Sequence, residues 1–254
     1  MISLAGRAAL ITGGSRGIGA ATVKLFAQAG ADVVFSYNRS KEPAAQVQQE
    51  ARKQGTRIES LKVDLSRMAD AKKLVQHTIQ RLGRIDILVA NAGIWNAADA
   101  PIEKLTEREW DEMLRVDLKS VYDVTHFAAA QMIAQHSGRI IAISSAAGQR
   151  GEAFHSHYAA AKGGIISFVK SLSTELARHG ILVNAVAPGW VATDMSKPLL
   201  DTKEGLKFAT AASPLKRVAT AEEVAGPILF LASDLATFIT GEVLNVNGGS
   251  VLCG

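Results

Sequence analysis

Cysteine is almost missing from this chain of 254 residues: there is one, Cys253, and a single thiol cannot close an intrachain disulfide. Such a chain suits a reducing compartment, and a cytoplasmic location is the expectation. Long apolar runs are missing too. The uncharged stretch 180–193 contains Asn184 and Pro188. It is too short and too polar to span a bilayer, so no membrane association is expected. The opening MISLAGRAALITGG has no basic segment followed by a long apolar core, which reads against a signal peptide. Nor does charge of one sign accumulate. Lys and Arg number 28 against 24 Asp and Glu, a formal net charge of +4 and a pI near 9.2, with both signs scattered along the chain. A nucleic-acid binder would carry a denser basic stripe, so nucleic acid is excluded as a partner. The mild positive excess suits an anionic ligand instead, such as a phosphorylated cofactor or an acidic carrier. With 48% hydrophobic and 20% charged residues, the composition is that of a globular protein and not of a disordered one.

What is present is an alternation. Short apolar runs at Ala8–Ile11, Val33–Phe35, Ile58–Val63, Ile85–Ala90, Ile140–Ile143, Leu182–Val186 and Val243–Val246 read as strands. Most are nearly continuous in apolar residues, as strands buried on both faces of a parallel sheet are. Segments of helical length and period lie between them. Thr106 with Glu109 and Thr220 with Glu223 fit capping boxes. Pro43 suits the first turn of the second helix, and Ser66 the cap of the helix running to about Arg81. Gly30, Gly55, Gly83, Gly138 and Gly180 stand where helices should stop. The reading is an α/β fold: one Rossmann-type domain over 1–254, with a doubly wound, mostly parallel, seven-stranded sheet and helices on both faces. Residues 190–217 are long for a connection and read as a helical substrate lid.

Thr12-Gly13-Gly14-Ser15-Arg16-Gly17-Ile18-Gly19 follows the first strand and opens the first helix. Glycines there permit a tight turn and let backbone approach a pyrophosphate, which the helix N-terminus attracts. The spacing is G-x-x-x-G-x-G, so the commoner G-x-G-x-x-G fingerprint does not apply as written. An NAD site places an acid at the end of the second strand for the ribose 2′-hydroxyl. Here that stretch is Ser36-Tyr37-Asn38-Arg39-Ser40. With no acid present, Arg16 and Arg39 can hold a 2′-phosphate, and NADP(H) is expected over NAD(H).

Tyr158 and Lys162 are four apart and share a helix face. An ammonium beside a phenol lowers the phenol pKa and brings it toward proton exchange. The pattern alone is weak, since Tyr37 with Lys41 also matches it, at a strand end where a spacing of four means nothing. Ser145 supplies the third point. It lies just past Ile140–Ile143, and open α/β sheets bind ligands beyond the carboxyl ends of their strands. A hydroxyl there can hold a carbonyl oxygen together with Tyr158. Without the other two residues, Ser144 and Ser145 would read as cap or turn residues.

Taken together, TGGSRGIG at 12–19, Asp64 in VDLS, Asn91-Ala92-Gly93, Ser145, YAAAK at 158–162, Asn184, Pro188-Gly189, Thr193 and NGG at 247–249 resemble the short-chain dehydrogenase/reductase family. The likeness spans nearly the whole chain and is strongest to 3-oxoacyl-acyl-carrier-protein reductase-type members. It implies that Tyr158 is the general acid/base, that Lys162 lowers its pKa and binds the nicotinamide ribose, and that Ser145 holds the substrate carbonyl. It also implies that Gly13, Ser15, Gly17, Ile18 and Gly19 meet the cofactor phosphates, with Asn38 beside Arg39. Asp64 and Leu65 would meet the adenine, and Asn91, Ala92 and Gly93 would line the cleft. Pro188, Gly189, Val191 and Thr193 would flank the nicotinamide. The reaction implied is reduction of a small or carrier-bound ketone to a secondary alcohol, and the reverse, by a homotetramer. One position departs from the family pattern. A Val-Asn-Leu context usually supplies a fourth catalytic member through its backbone carbonyl, and this chain has Val116-Asp117-Leu118. The carbonyl is kept, and a carboxylate near Lys162 would raise the lysine pKa.

Other features carry less. His155 and His157 flank Ser156, but residues two apart on a helix do not face together, so no metal site is expected; a pocket-lining place ranks ahead of it, and a loop or surface place ahead of both. Trp190 can reach substrate, whereas Trp110 reads as helix packing. Ile165, Ile166, Phe168 and Val169 suit either a subunit interface or the sheet. A non-catalytic NADP-binding regulator would keep the glycine turn without the Tyr/Lys/Ser set, and a Rossmann-like methyltransferase would lack the Tyr158–Lys162 pair. Among ketones, a 3-oxoacyl thioester leads, ahead of a sugar, a steroid or another carbonyl compound.

Overall fold

All seven runs pair into one parallel sheet in the computed structural model, which describes residues 2–252; Cys253 lies outside them. The strands are β1 (Ala8–Ile11), β2 (Asp32–Tyr37), β3 (Ile58–Lys62), β4 (Ile87–Ala90), β5 (Gly138–Ile143), β6 (Ile181–Pro188) and β7 (Val243–Val246), in the order β3-β2-β1-β4-β5-β6-β7. The order reverses at β1, where Ile11 stands opposite Phe35 on one side and Val89 on the other. The chain leaves β1 and β4 in opposite directions there, and this is where such sheets open a crevice at their carboxyl edge.

Side chains alternate along a strand, and here both sets are buried. Ala9, Ile11, Val33 and Phe35 pack under α1 (Gly17–Gln28), α2 (Lys41–Arg52) and α10 (Ala221–Ala232), through Phe26, Val47 and Ile228. Leu10, Leu88 and Ile140 pack under α3 (Met68–Leu82), α5 (Ser120–Gln135) and α7 (Ser156–Leu176), through Leu74, Val124, Ile165 and Val169. Each such Leu or Ile contributes about 1.5–3 kcal/mol. Ile165 and Val169 are thus committed to the sheet. The remaining helices are α4 (Glu107–Leu114), α6 (Ala146–Arg150), α8 (Lys197–Leu200) and α9 (Lys203–Ala211), the last two inside 190–217.

The capping boxes at Thr106 and Thr220 form, and Pro43 sits in the first turn of α2. Gly83 and Gly180 take left-handed C-cap positions (φ +79° and +69°), and Gly30 and Gly55 follow α1 and α2. Two expectations shift. Ser66 does not cap α3: Arg67 holds that place without a side-chain cap, and the Asp70 carboxylate anchors the turn by accepting the Asp64 N–H at 2.9 Å. Gly138 does not end α5. His136 takes the left-handed turn (φ +52°), and Gly138 opens β5, where a Cβ would stand 2.5 Å from Met132 Sδ. Strand ends also move: β2, β5 and β6 run longer than their apolar runs, while Ile85 precedes β4 and Val63 follows β3.

Candidate active site

The carboxyl edge of the sheet opens into a cavity of about 640 Å³. Gly13, Ser15, Arg16, Gly17, Ile18 and Gly19 line one end, with Asn38, Arg39, Asp64 and Leu65. Asn91, Ala92 and Gly93 lie between that end and Asp117, Ser145, Tyr158 and Lys162. Pro188, Gly189, Val191 and Thr193 form a facing wall.

The glycine turn is held from below. Buried Thr12 accepts the N–H groups of Asn91 and Ala92 at Oγ1, both at 2.9 Å. Asn91 Nδ2 donates to the carbonyls of Thr12 (2.9 Å) and Gly13 (3.2 Å). The Asn91 amide is therefore committed to fastening the turn onto β4. Gly19 has no room for a Cβ, which would meet the Gly13 carbonyl and stand 2.6 Å from Asn91 Nδ2. Gly17 has φ +54°, and a Cβ there would come within 3.2 Å of Thr193 Cγ2, closing the space over the start of α1. No side chain caps that start, so the first N–H groups of α1 and their partial positive charge face the cavity unspent. Arg16 and Arg39 are exposed at its rim, and among the described residues neither guanidinium makes an ion pair. The Asp64 carboxyl is held below its ordinary range by Ser66, with Arg67 and Arg39 adding to the effect.

At the other end, α7 places Lys162 Nζ 5.6 Å from the centroid of the Tyr158 ring. Nζ donates to the Ile143 carbonyl at 3.2 Å and lies 3.1 Å from Asp117 Oδ2. Asp117 is fully buried, in a π-helical turn (Arg115–Lys119) between α4 and α5, and its Oδ1 accepts the Ile94 N–H at 2.7 Å. Single π turns of this kind recur at functional sites. Gly93 makes the ion pair possible, since a Cβ would stand 2.8 Å from Asp117 Oδ2 and 3.3 Å from Lys162 Nζ.

These contacts set the charges. Burial pushes the Asp117 carboxyl up against the pull of Lys162. Burial alone would lower Lys162, but the Asp117 carboxylate and Tyr158 more than reverse it, and the ammonium is held above its ordinary value. Tyr158 is raised, chiefly by burial and further by Asp117, while Lys162 and the Ser145 hydroxyl act the other way. The net direction is opposite to the one read from Tyr-x-x-x-Lys, because burial and Asp117 together outweigh the lysine's effect. Tyr158 in the free chain holds its proton. Asp117→Asn should therefore lower the Tyr158 pKa. The pH dependence of any proton transfer through Tyr158 should then move to lower pH. Superimposable pH–rate profiles for the two proteins would contradict this.

Ser145 plays the cap role and can play the chemical one. Its Oγ accepts the Ala147 N–H at 3.1 Å, which starts α6 and leaves the hydroxyl proton free for a substrate oxygen. Ser144, a turn residue by pattern alone, is buried and donates to the Lys162 carbonyl at 2.8 Å, tying β5 to α7. Asn184 is a clasp, donating to Ile239 O at 2.9 Å and accepting the Glu242 N–H at 3.0 Å.

A profile of the family described as enoyl-(acyl carrier protein) reductase matches residues 13–250. The chain belongs to the short-chain dehydrogenase/reductase family. It is an oxidoreductase acting on CH–OH/C=O groups. It is similar to the 3-oxoacyl-acyl-carrier-protein reductase of Thermotoga maritima, 39% identical over 98% of this chain and 99% of the relative. It is likewise similar to that of Chlamydia muridarum, 42% identical over 97% and 98%. Among solved structures, a short chain dehydrogenase from Burkholderia cenocepacia in complex with NADP superimposes with a TM-score of 0.90, at 32% identity, over 97% of this chain and 98% of that one. No helix among the described residues of this short-chain dehydrogenase/reductase is long and apolar enough to cross a membrane.

Two residues differ in part from expectation. His155 lies in a loop but is buried, and His157 is buried within α7. His155 precedes α7 with its ring nitrogens 2.8 Å from Asn96 O and 3.2 Å from Ala153 O, and it stacks on Trp95 at 5.1 Å. Burial and His155 push the His157 imidazole below its ordinary value. The signal that could have found them is Trp95, whose large face needs a flat neighbour.

Proposed function

We propose that this chain is an NADP(H)-dependent ketone reductase that also runs in reverse, with a 3-oxoacyl thioester, free or carrier-bound, as its leading substrate. The observation that carries the reading is the convergence of the Tyr158 hydroxyl, the Lys162–Asp117 pair and the Ser145 hydroxyl in the same cavity as an uncapped helix start. A dinucleotide fits what is there. The backbone around Gly17 and the start of α1 would hold its phosphates, unpaired Arg16 and Arg39 a 2′-phosphate, and Lys162 a ribose hydroxyl. When bound, the nicotinamide supplies a hydride to the carbonyl carbon. The substrate oxygen accepts hydrogen bonds from Ser145 and Tyr158. Tyr158 gives its proton to that oxygen as charge develops there, and Lys162 stabilises the phenolate left behind. Asp117 and the Ile143 carbonyl orient the ammonium for that task. Residues 190–217, with α8 and α9, serve as the lid over the substrate end. The carrier partner and the homotetramer belong to the same reading and rest on the family likeness.

The test follows NADPH absorbance with purified protein and an acetoacetyl thioester, with NADH in parallel. The expected result is oxidation of NADPH and much slower oxidation of NADH. The cofactor preference has its own test. Arg39→Ala should raise the KM for NADPH about tenfold or more and leave that for NADH nearly unchanged, since a charge-assisted contact to phosphate contributes about 1.5–3 kcal/mol. An equal change for both cofactors would place Arg39 away from the 2′-phosphate.

A further inference from the structure

The substrate end of the cleft has a wall of unusual chemistry. Trp95, two residues past Gly93, and Trp190, directly past Gly189, both line the cavity that holds Ser145 and Tyr158. Their rings meet edge to face at 5.5 Å with an interplanar angle of 83°, so they form a corner of two aromatic planes. Neither plane is loose. The back of Trp95 is stacked on buried His155 at 5.1 Å and 21°, and one nitrogen of that imidazole stands 2.8 Å from the Asn96 carbonyl. Trp190 is buttressed by Phe208 of α9 at 6.2 Å and tied through its carbonyl to the Ala219 N–H at 2.9 Å. Both indoles remain only half-buried, and Met195 lines the same cavity.

A rigid corner of this kind does little for a straight, flexible chain, which must give up rotamers to lie against it. It suits a flat ring, which offers one face to an indole and an edge to the other at almost no entropic cost. We propose that Trp95 and Trp190 make this enzyme selective for ketones that carry a planar ring next to the carbonyl, of the aryl-substituted 3-oxoacyl class, over short straight-chain 3-oxoacyl compounds. The inference rests on the ketone-reductase reading above and adds to it the shape of the acyl group.

The probes are the N-acetylcysteamine thioesters of 3-oxo-3-phenylpropanoate and of acetoacetate, assayed with NADPH. The wild type should reduce the phenyl compound with a kcat/KM about tenfold higher, the size that one well-packed aromatic contact provides. Trp95→Leu should bring the ratio of the two kcat/KM values down to near one, and Trp95→Phe should restore most of it. Because the readout is a ratio within one protein, a general loss of folded enzyme leaves it intact. A wild-type ratio at or below one, or a ratio unmoved by Trp95→Leu, overturns the proposal. Should neither thioester be reduced, the reductase reading for thioesters fails, and binding then decides this one by itself. Quenching of tryptophan fluorescence by the phenyl compound and not by the acetoacetyl one supports the corner, and quenching by neither removes it.

Discussion

Tyr158→Phe should lower kcat for ketone reduction by about 10³-fold while leaving NADPH binding within a factor of a few. The variant keeps the ring that packs beside Lys162 at 5.6 Å and loses only the hydroxyl. The two groups set closest to it by role, Ser145 and Lys162, are poor substitutes as proton donors. Ser145 spends a lone pair on the Ala147 N–H, and its hydroxyl is far too weak an acid. Lys162 is held above its ordinary pKa by Asp117 and gives up a proton reluctantly. General acid catalysis contributes about 10²–10⁴-fold, and the full loss is expected because the proton and hydride must arrive together to avoid a free alkoxide. Steady-state rates with a fluorescence titration of NADPH check both halves. A variant with kcat within tenfold of wild type would mean that water or another residue is the acid.

Lys162→Met should be costly in two ways. It removes the cation beside Tyr158, and it leaves the fully buried Asp117 carboxylate without its 3.1 Å partner. Breaking a buried pair from one side costs about 3–5 kcal/mol, which for a chain of this size lowers Tm by roughly 10 °C. The sign with pH can be worked out. Burial already raises the Asp117 pKa, and without Lys162 little but the Ile94 N–H opposes it. The folded variant then binds a proton that the unfolded chain does not, so its stability relative to wild type should recover as pH falls through that raised value. Asp117→Asn added to Lys162→Met should restore much of the Tm at neutral pH without restoring activity. Thermal melts across pH on the single and double variants measure this. A double variant no more stable than Lys162→Met would show that the pair contributes nothing as a pair.

Much of this was legible in the chain because a parallel sheet writes itself plainly. Runs such as Leu10 with Ile11 bury both faces, so their apolar continuity marks strands, and the glycine turn, Ser145 and Tyr158 then fall at strand ends or the helices after them. What pattern could not carry was the partner of each polar group. Asn91 reads as a cleft residue but spends its amide on the Thr12 and Gly13 carbonyls. Ser144 reads as a turn but fastens Lys162. The effect of Lys162 on Tyr158 depends on where the Asp117 carboxylate lands, and that is decided by a π turn and by the missing side chain of Gly93, both non-local facts. The burial of His155 and His157 was hidden for a similar reason. His155 stands in the loop before α7, but what covers it is Trp95, a stack that bridges about sixty residues of sequence.

The most direct test of the central claim follows the hydride itself. NADPH carrying deuterium at the transferable position is incubated with the enzyme and a 3-oxoacyl thioester, and the product is analysed by NMR. Reduction of a carbonyl with Tyr158 as proton donor puts one deuterium on the carbon that bears the new hydroxyl, and none at the neighbouring carbon. Deuterium found instead on a saturated carbon with no hydroxyl, from an unsaturated thioester supplied in parallel, with the ketone untouched, would mean that this site reduces C=C bonds. That result would contradict Tyr158 as the acid, and Ser145 as the hydrogen-bond donor, to a ketone oxygen.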